Sequence, residues 1–429
     1  MEDIVLSAIN KQDRAVRALS LCIMQPTVSG GDKQAFYRLH TLLPQLFPRL
    51  FSYASCEQMG GQAMLLHLPG RQGGKPLVFL SHMDVVDAGD ERRWTHAPFG
   101  GETKDGYVYG RGAADMKGHL IALLSAAEEL LEEGWLPGGD IYFALSCDEE
   151  QRGGSMELIA NTLKARGVQP AMVLDEGGSV SQPYAVAETP AAYVGVAEKG
   201  RLLFSLSCEG LYAMERLSRA AARIARIRPG GRLCKPVLTQ MLPAMRPILT
   251  RRDRFYLRND TLFKQRLIAR LSRTATGRAI THTQLNLWRQ QGDTLLREKP
   301  TLYYTASVLP GDSTEKLLRR MRRIIARTDI TLTVTCLEEP GAISPARGLT
   351  WDALCTAIHV HFPGRVIVPS LLAGGTDARR MEKICPYVYR FSPFEFSQDD
   401  LMRMHGYDER LSIANLMRGI SFFRQMLQA

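Results

Sequence analysis

Apolar positions recur at helical spacing near the start of the chain, at Ile4, Ile9, Val16 and Leu19, then at Phe36, Leu39, Leu42 and Leu43. Downstream, short apolar runs alternate with longer helical stretches. Lys75-Pro-Leu-Val-Phe-Leu-Ser81 reads as a buried strand ending at His82-Met-Asp84, and the stretch from Asp115 to about Glu133 reads as a helix stopped by Gly134. Asp140–Ser146 is the next strand, ending at Asp148-Glu149-Glu150. A helix over 156–166 and a short strand, Ala171–Leu174, follow, the latter ending at Asp175-Glu176-Gly177-Gly178. This alternation predicts an α/β domain with a largely parallel sheet.

The middle of the chain changes character. Strands are predicted at 201–207, 301–308 and 330–336, and helices at 214–228, 263–271 and 314–326, which together describe an α+β insertion. The α/β pattern resumes after about Glu339, with a strand near Val366–Val368, a Gly374-Gly375 loop and a final helix near 412–427. The expected organisation is a catalytic-type domain over 1–190 and 340–429, interrupted by an insertion over 191–339.

Charge sharpens that division. The chain carries a formal +10 overall, yet residues 214–328 alone hold 26 Lys+Arg against 7 Asp+Glu, so the remainder is acidic. A solvated basic face accounts for the Arg-rich helices, and no module with interleaved aromatics points to nucleic acid. No run of 18 apolar residues predicts a membrane span. The acidic start, Met-Glu-Asp-Ile-Val, is unlike a secretory signal, and eight scattered cysteines without a CxxC pair argue against a disulfide framework. A cytoplasmic setting is the resulting expectation.

Three predicted strands end in imidazole or carboxylate groups: His82 and Asp84, Glu149 and Glu150, and Asp175. Ligands of open α/β sheets sit at the carboxyl ends of the strands, so these groups are expected to converge, with Asp115 joining them after the turn Gly110-Arg-Gly112. So many carboxylates in one cleft repel unless a cation lies among them, and imidazole with carboxylate suits zinc, or cobalt or manganese. No HExxH, GxSxG or GxxxxGK[ST] motif offers competing chemistry.

In identity and order, His82-x-Asp84, Gly110-Arg-Gly-x-x-Asp115, Asp148-Glu-Glu150, Asp175-Glu-Gly-Gly178, Gly374-Gly-Thr-Asp377 and His405-Gly406 resemble the di-zinc metallopeptidases. That family embraces aminoacylases, carboxypeptidase S, glutamate carboxypeptidases and succinyl-diaminopimelate desuccinylases. Leu174–Gly178 and Thr376–Arg379 are most similar to the carboxypeptidase S branch. The resemblance implies a zinc-exopeptidase catalytic domain with an inserted lid, holding two Zn2+ per chain. Asp115 would bridge the metals, with His82 and Asp175 completing one site and Glu150 and His405 the other. Asp84 would orient the His82 ring, and Glu149 would be the general base of amide hydrolysis. A cis peptide would follow Asp115, and Gly374, Gly375, Thr376 and Arg379 would help bind a small peptide or N-acyl amino acid.

Three lid features of the family are missing. After Glu198-Lys-Gly200 no Gly-His-Ser motif follows, and Gly210 runs directly into Leu211. Thr294–Arg297 stands where an Asn-Val-x-Pro element is usual. Ser307 takes the position of the Arg that in the family binds a substrate carboxylate. Replacement by other groups, Arg379 among them, and outright loss both remain open. Three readings follow: a metal-dependent amidohydrolase, a catalytically altered relative whose retained metal site serves binding or regulation, or an enzyme whose preference has moved toward compounds lacking the usual free carboxylate. Homodimerisation through the lid is a further expectation by analogy.

Overall fold

The strand Leu77–His82 is apolar until its final Ser-His and is buried on both faces, as a central parallel strand requires. The structure, a computed structural model, describes residues 10–151, 153–227, 229–291 and 299–429. Ile4, Ile9, Arg228 and the segment 294–297 lie outside the described residues.

Among the described residues, nine strands form the main sheet. Its order across is Ser55–Met59, Ala63–Leu68, Ile141–Ser146, Leu77–His82, Met172–Asp175, Val388–Arg390, Ala191–Glu198 and Ile367–Leu372, with Val180–Ser181 beside Ala191–Glu198. The three strands predicted to carry site residues are neighbours and run parallel, so their carboxyl ends meet. Helices Lys117–Glu132 and Ile413–Leu427 pack on one another and share the sheet's core, where Phe423 meets Phe79 edge-on.

A second sheet, in the order Gln284–Gln291, Thr301–Val308, Gly200–Ser207, Thr331–Glu338, is antiparallel throughout. Residues of Gly200–Ser207 alternate strictly between buried and half-buried. Leu202, Phe204 and Leu206 pack under helices Ala213–Ala225 and Thr314–Ile325, and the other face stays open. In this register Arg201 lies opposite Ser307 on one side and Glu338 on the other.

Two features depart from expectation. Ala191–Glu198 belongs to the main sheet, so the second sheet begins at Gly200 rather than at the expected boundary after residue 190. The insertion is also not one compact body. Its helical part, including Val237, Met241, Leu242, Met245, Leu267 and Leu271, shares a core with Tyr193, Val368 and Leu371 of the main sheet. No helix among the described residues is long and apolar enough to cross a membrane.

Candidate metal centre

His82 closes its strand at the sheet's carboxyl edge, almost fully buried. Its Nδ1 lies 2.9 Å from the Asp84 carbonyl oxygen, which can take the ring proton and leave Nε2 facing the cleft. Nε2 is 3.1 Å from Asp115 Oδ1 and 3.4 Å from Glu176 Oε1. The other oxygen of Asp115, Oδ2, is 2.9 Å from His405 Nε2, which in turn lies 3.1 Å from Glu150 Oε1. One carboxylate thus presents an oxygen to each of two imidazoles, the arrangement expected of a bridging ligand. Asp115 and Met116 are joined by a cis peptide bond, as the resemblance implied.

Buried groups hold these side chains. The Asp84 carboxylate accepts from the backbone N–H of Glu149 at 3.2 Å and of Glu150 at 3.1 Å, and from the Ser29 hydroxyl. It therefore grips the loop that presents both glutamates, a wider role than orienting one ring. Glu409, paired with Arg111, accepts from the N–H groups of Ala114 and Asp115 and fixes the bridging residue from behind. Lys117 donates to the carbonyls of Cys22 and Gln25, tying the first helix to the same turn.

Asp175 does not join the cluster. One of its oxygens accepts from the Glu176 N–H at 2.8 Å and the other from the Ala378 N–H at 2.8 Å. Its neighbour Glu176 points at His82 instead, and two overlapping groups lie within ligand spacing, His82 with Glu149 and Glu176, and His82 with Asp115 and Glu150. Of the two carboxylates at this strand end, Glu176 rather than the expected Asp175 faces His82. Gly177 supplies the left-handed turn, at φ +112°, by which the chain leaves after Glu176. Replacing Glu176 with Ala is expected to lower the metal bound per chain. Asp175→Asn should keep the metal but lose about 1–3 kcal/mol of stability, because its amide group meets N–H donors. Metal content by mass spectrometry and urea midpoints separate the two; metal lost only from the Asp175 variant reverses the assignment.

The electrostatics fit divalent cations. Hydrogen bonds to Asp115 and Glu150 hold His405 up at about 10. Burial, reinforced by Glu176, Asp377 and Glu150, pushes Glu149 well above the usual carboxylate range. Burial and the charge of Asp115 do the same to Glu176. The donor atoms lie 2.9–3.4 Å apart, and the longest contact, His82 to Glu176, matches the edge of about 3.3–3.4 Å of a tetrahedron around a metal bonded at about 2.0–2.1 Å.

Of the expected substrate residues, Gly374, Gly375, Thr376 and Arg379 all line the cleft that holds Glu149. Thr376 and Arg379 are engaged, however. Thr376 donates to Glu198 at 3.0 Å, and the Arg379 nitrogens reach Glu198 and the carbonyls of Glu339 and Lys199. Glu198 is in turn locked by the fully buried Arg390 at 2.6 Å. Arg379 thus braces Glu198 and the segments at Lys199 and Glu339, with three of its five N–H donors in use. Asp377, buried beside Glu149 and raised to about 7 by burial and the charge of Asp175, has one oxygen without a partner among the described residues. Sequence reasoning missed Glu176, Ser29 and Glu409, of which only Glu176 lies within a motif.

The profile of peptidase family M20/M25/M40 matches residues 78–429. The chain belongs to that family. It is a metal-dependent hydrolase by that membership. Among relatives, it is 28% identical to a probable carboxypeptidase S-like 2 of Dictyostelium discoideum over 99% of this chain and 85% of the relative. It is also 28% identical to the N-fatty-acyl-amino acid synthase/hydrolase PM20D1 of Xenopus tropicalis, over 98% of this chain and 86% of the relative. A metallo-carboxypeptidase of the M20 family from Sulfolobus solfataricus has the same fold, with a TM-score of 0.70 at 16% identity, covering 96% of this chain and 98% of that one.

Proposed function

We propose that the chain hydrolyses N-acyl amino acids with an apolar acyl group, using two zinc ions held by His82, Asp115, Glu150, Glu176 and His405. The observation that carries this reading is a pair of cavities sharing the wall Ala373–Thr376 on either side of the ligand cluster. One contains Glu149 and is lined by Lys199, Arg201, Thr305 and Ser307. The other reaches Asp115 and Glu176 and is walled by Tyr184, Leu371, Leu372, Phe396, Leu401 and Met404. An amide lying across the cluster then places its polar end among cations and its acyl chain among apolar side chains. The PM20D1 relative, an N-fatty-acyl-amino acid synthase/hydrolase, supports the same class.

Bound at the cluster, the divalent cations supply Lewis acidity to a water molecule and to the amide carbonyl. With cations held by these residues, Glu149 would take a proton from the attacking water and return it to the departing nitrogen. Asp84 keeps the loop of Glu149 in place throughout. The scatter of the eight cysteines, none in a CxxC pair, supports a cytoplasmic location. A binding or regulatory role is favoured by one observation only: the family's lid histidine is absent, and Leu211 and Tyr212 at that point are exposed.

Hydrolysis of a panel of dipeptides and N-acyl amino acids by zinc-loaded protein tests the reading. Turnover is expected to rise with acyl length. A preference for hydrophilic dipeptides overturns the substrate class, and no metal-dependent turnover at all favours the binding role.

A further inference from the structure

Four cations line the cleft that holds Glu149: Lys199, Arg201, Arg379 and Arg380. Three are engaged. Lys199 donates to the carbonyls of Ala279 at 2.7 Å and His282 at 2.8 Å. Arg379 is bound to Glu198 and two carbonyls, and Arg380 to Glu338 at 2.7 Å. Arg201 makes no side-chain hydrogen bond or ion pair with any described residue.

Its placement makes that vacancy informative. Arg201 is half-buried, and a guanidinium does not shed its charge when desolvated, so it needs an acceptor. Its two cross-strand neighbours are Ser307 and Glu338. Glu338 is drawn to Arg380, while Ser307 and Thr305 leave a small, hydroxyl-lined space beside Gly374 and Gly375. The cleft is also lined by the acidic residues Glu149, Glu338 and Asp377, which disfavours a highly charged ligand and leaves a singly charged, planar anion as the best match to the guanidinium fork.

We propose that Arg201 is the specificity-determining residue of this chain, receiving the free carboxylate at the amino-acid end of the substrate from the strand facing Ser307. This rests on the hydrolase reading above for the identity of the substrate. Arg201 discriminates by charge and takes no part in proton transfer, so its removal affects binding of the acid and spares chemistry at the amide.

Calorimetry separates the two claims. N-octanoyl-leucine and its carboxamide are titrated into zinc-loaded Glu149→Gln protein, with and without Arg201→Gln. The free acid is expected to bind more tightly than the carboxamide when Arg201 is present. Arg201→Gln should weaken the acid by about 10- to 100-fold and leave the carboxamide unchanged, with Arg201→Lys between. In protein that retains Glu149, Arg201→Gln should raise KM for the acid at unchanged kcat. The proposal is overturned if the acid has no advantage over the carboxamide, or if Arg201→Gln weakens both alike or neither. Absence of turnover with the binding pattern intact refutes the hydrolase reading and leaves the role of Arg201 standing.

Discussion

Glu149→Gln is expected to lower kcat by about 10²- to 10⁴-fold, the span of a positioned general base, with the metal content unchanged. Glutamine matches glutamate in shape and keeps its backbone N–H on Asp84, so the loop stays where it is. Only the capacity to accept a proton is lost. The test has a second edge, because Glu149 lies within ligand spacing of His82 and Glu176. If the variant loses metal in proportion to activity, Glu149 is a ligand and the base must be sought elsewhere, with Asp377, one of whose oxygens has no partner among the described residues, as the next group to examine.

Asp115→Ala is expected to be more damaging still. Its two oxygens face two different imidazoles, so one truncation removes a ligand from both halves of the cluster. Bound metal should fall from two ions per chain to one or none, and kcat/KM by at least ~10³-fold, since the activated water depends on both. The fold should survive, because Glu409 holds the backbone N–H of residue 115 rather than its side chain. Metal analysis, steady-state rates and circular dichroism on the same sample check the three parts. Two ions retained in folded Asp115→Ala protein refute the bridging role.

Much of this architecture was legible in the chain because buried parallel strands are short apolar runs with abrupt polar ends. Leu77–His82 and Ile141–Ser146 announce themselves in that way, and the groups just past them were found. Ala191–Glu198 was not, since its small residues and Gly195 give neither alternation nor a branched apolar run. The hairpin of Ser55–Met59 and Ala63–Leu68 was missed too, one strand being mostly exposed and the other wholly apolar but for His67. That Glu176 rather than Asp175 faces His82 has a sharper cause. At a strand end one residue decides which way a side chain points, and the position of that end depends on a distant partner, the N–H of Ala378, that local pattern does not encode. The relocation of a free guanidinium to Arg201 was equally hidden, because it depends on cross-strand register.

The shared core between the insertion's helices and the outermost strand has a consequence for how this chain could be divided or inherited. Ile367–Leu372 ends the main sheet, and Val237, Met241 and Leu242 shelter its apolar side chains. Were the segment excised, that strand would offer both unpaired backbone and bare apolar surface, the usual starting point for sheet-to-sheet aggregation. The insertion therefore serves as a guard on the border of the catalytic half, and the two are not interchangeable cassettes. Recombination that swapped in a foreign lid would have to bring a matching guard with it, which ties the ancestry of the two parts together.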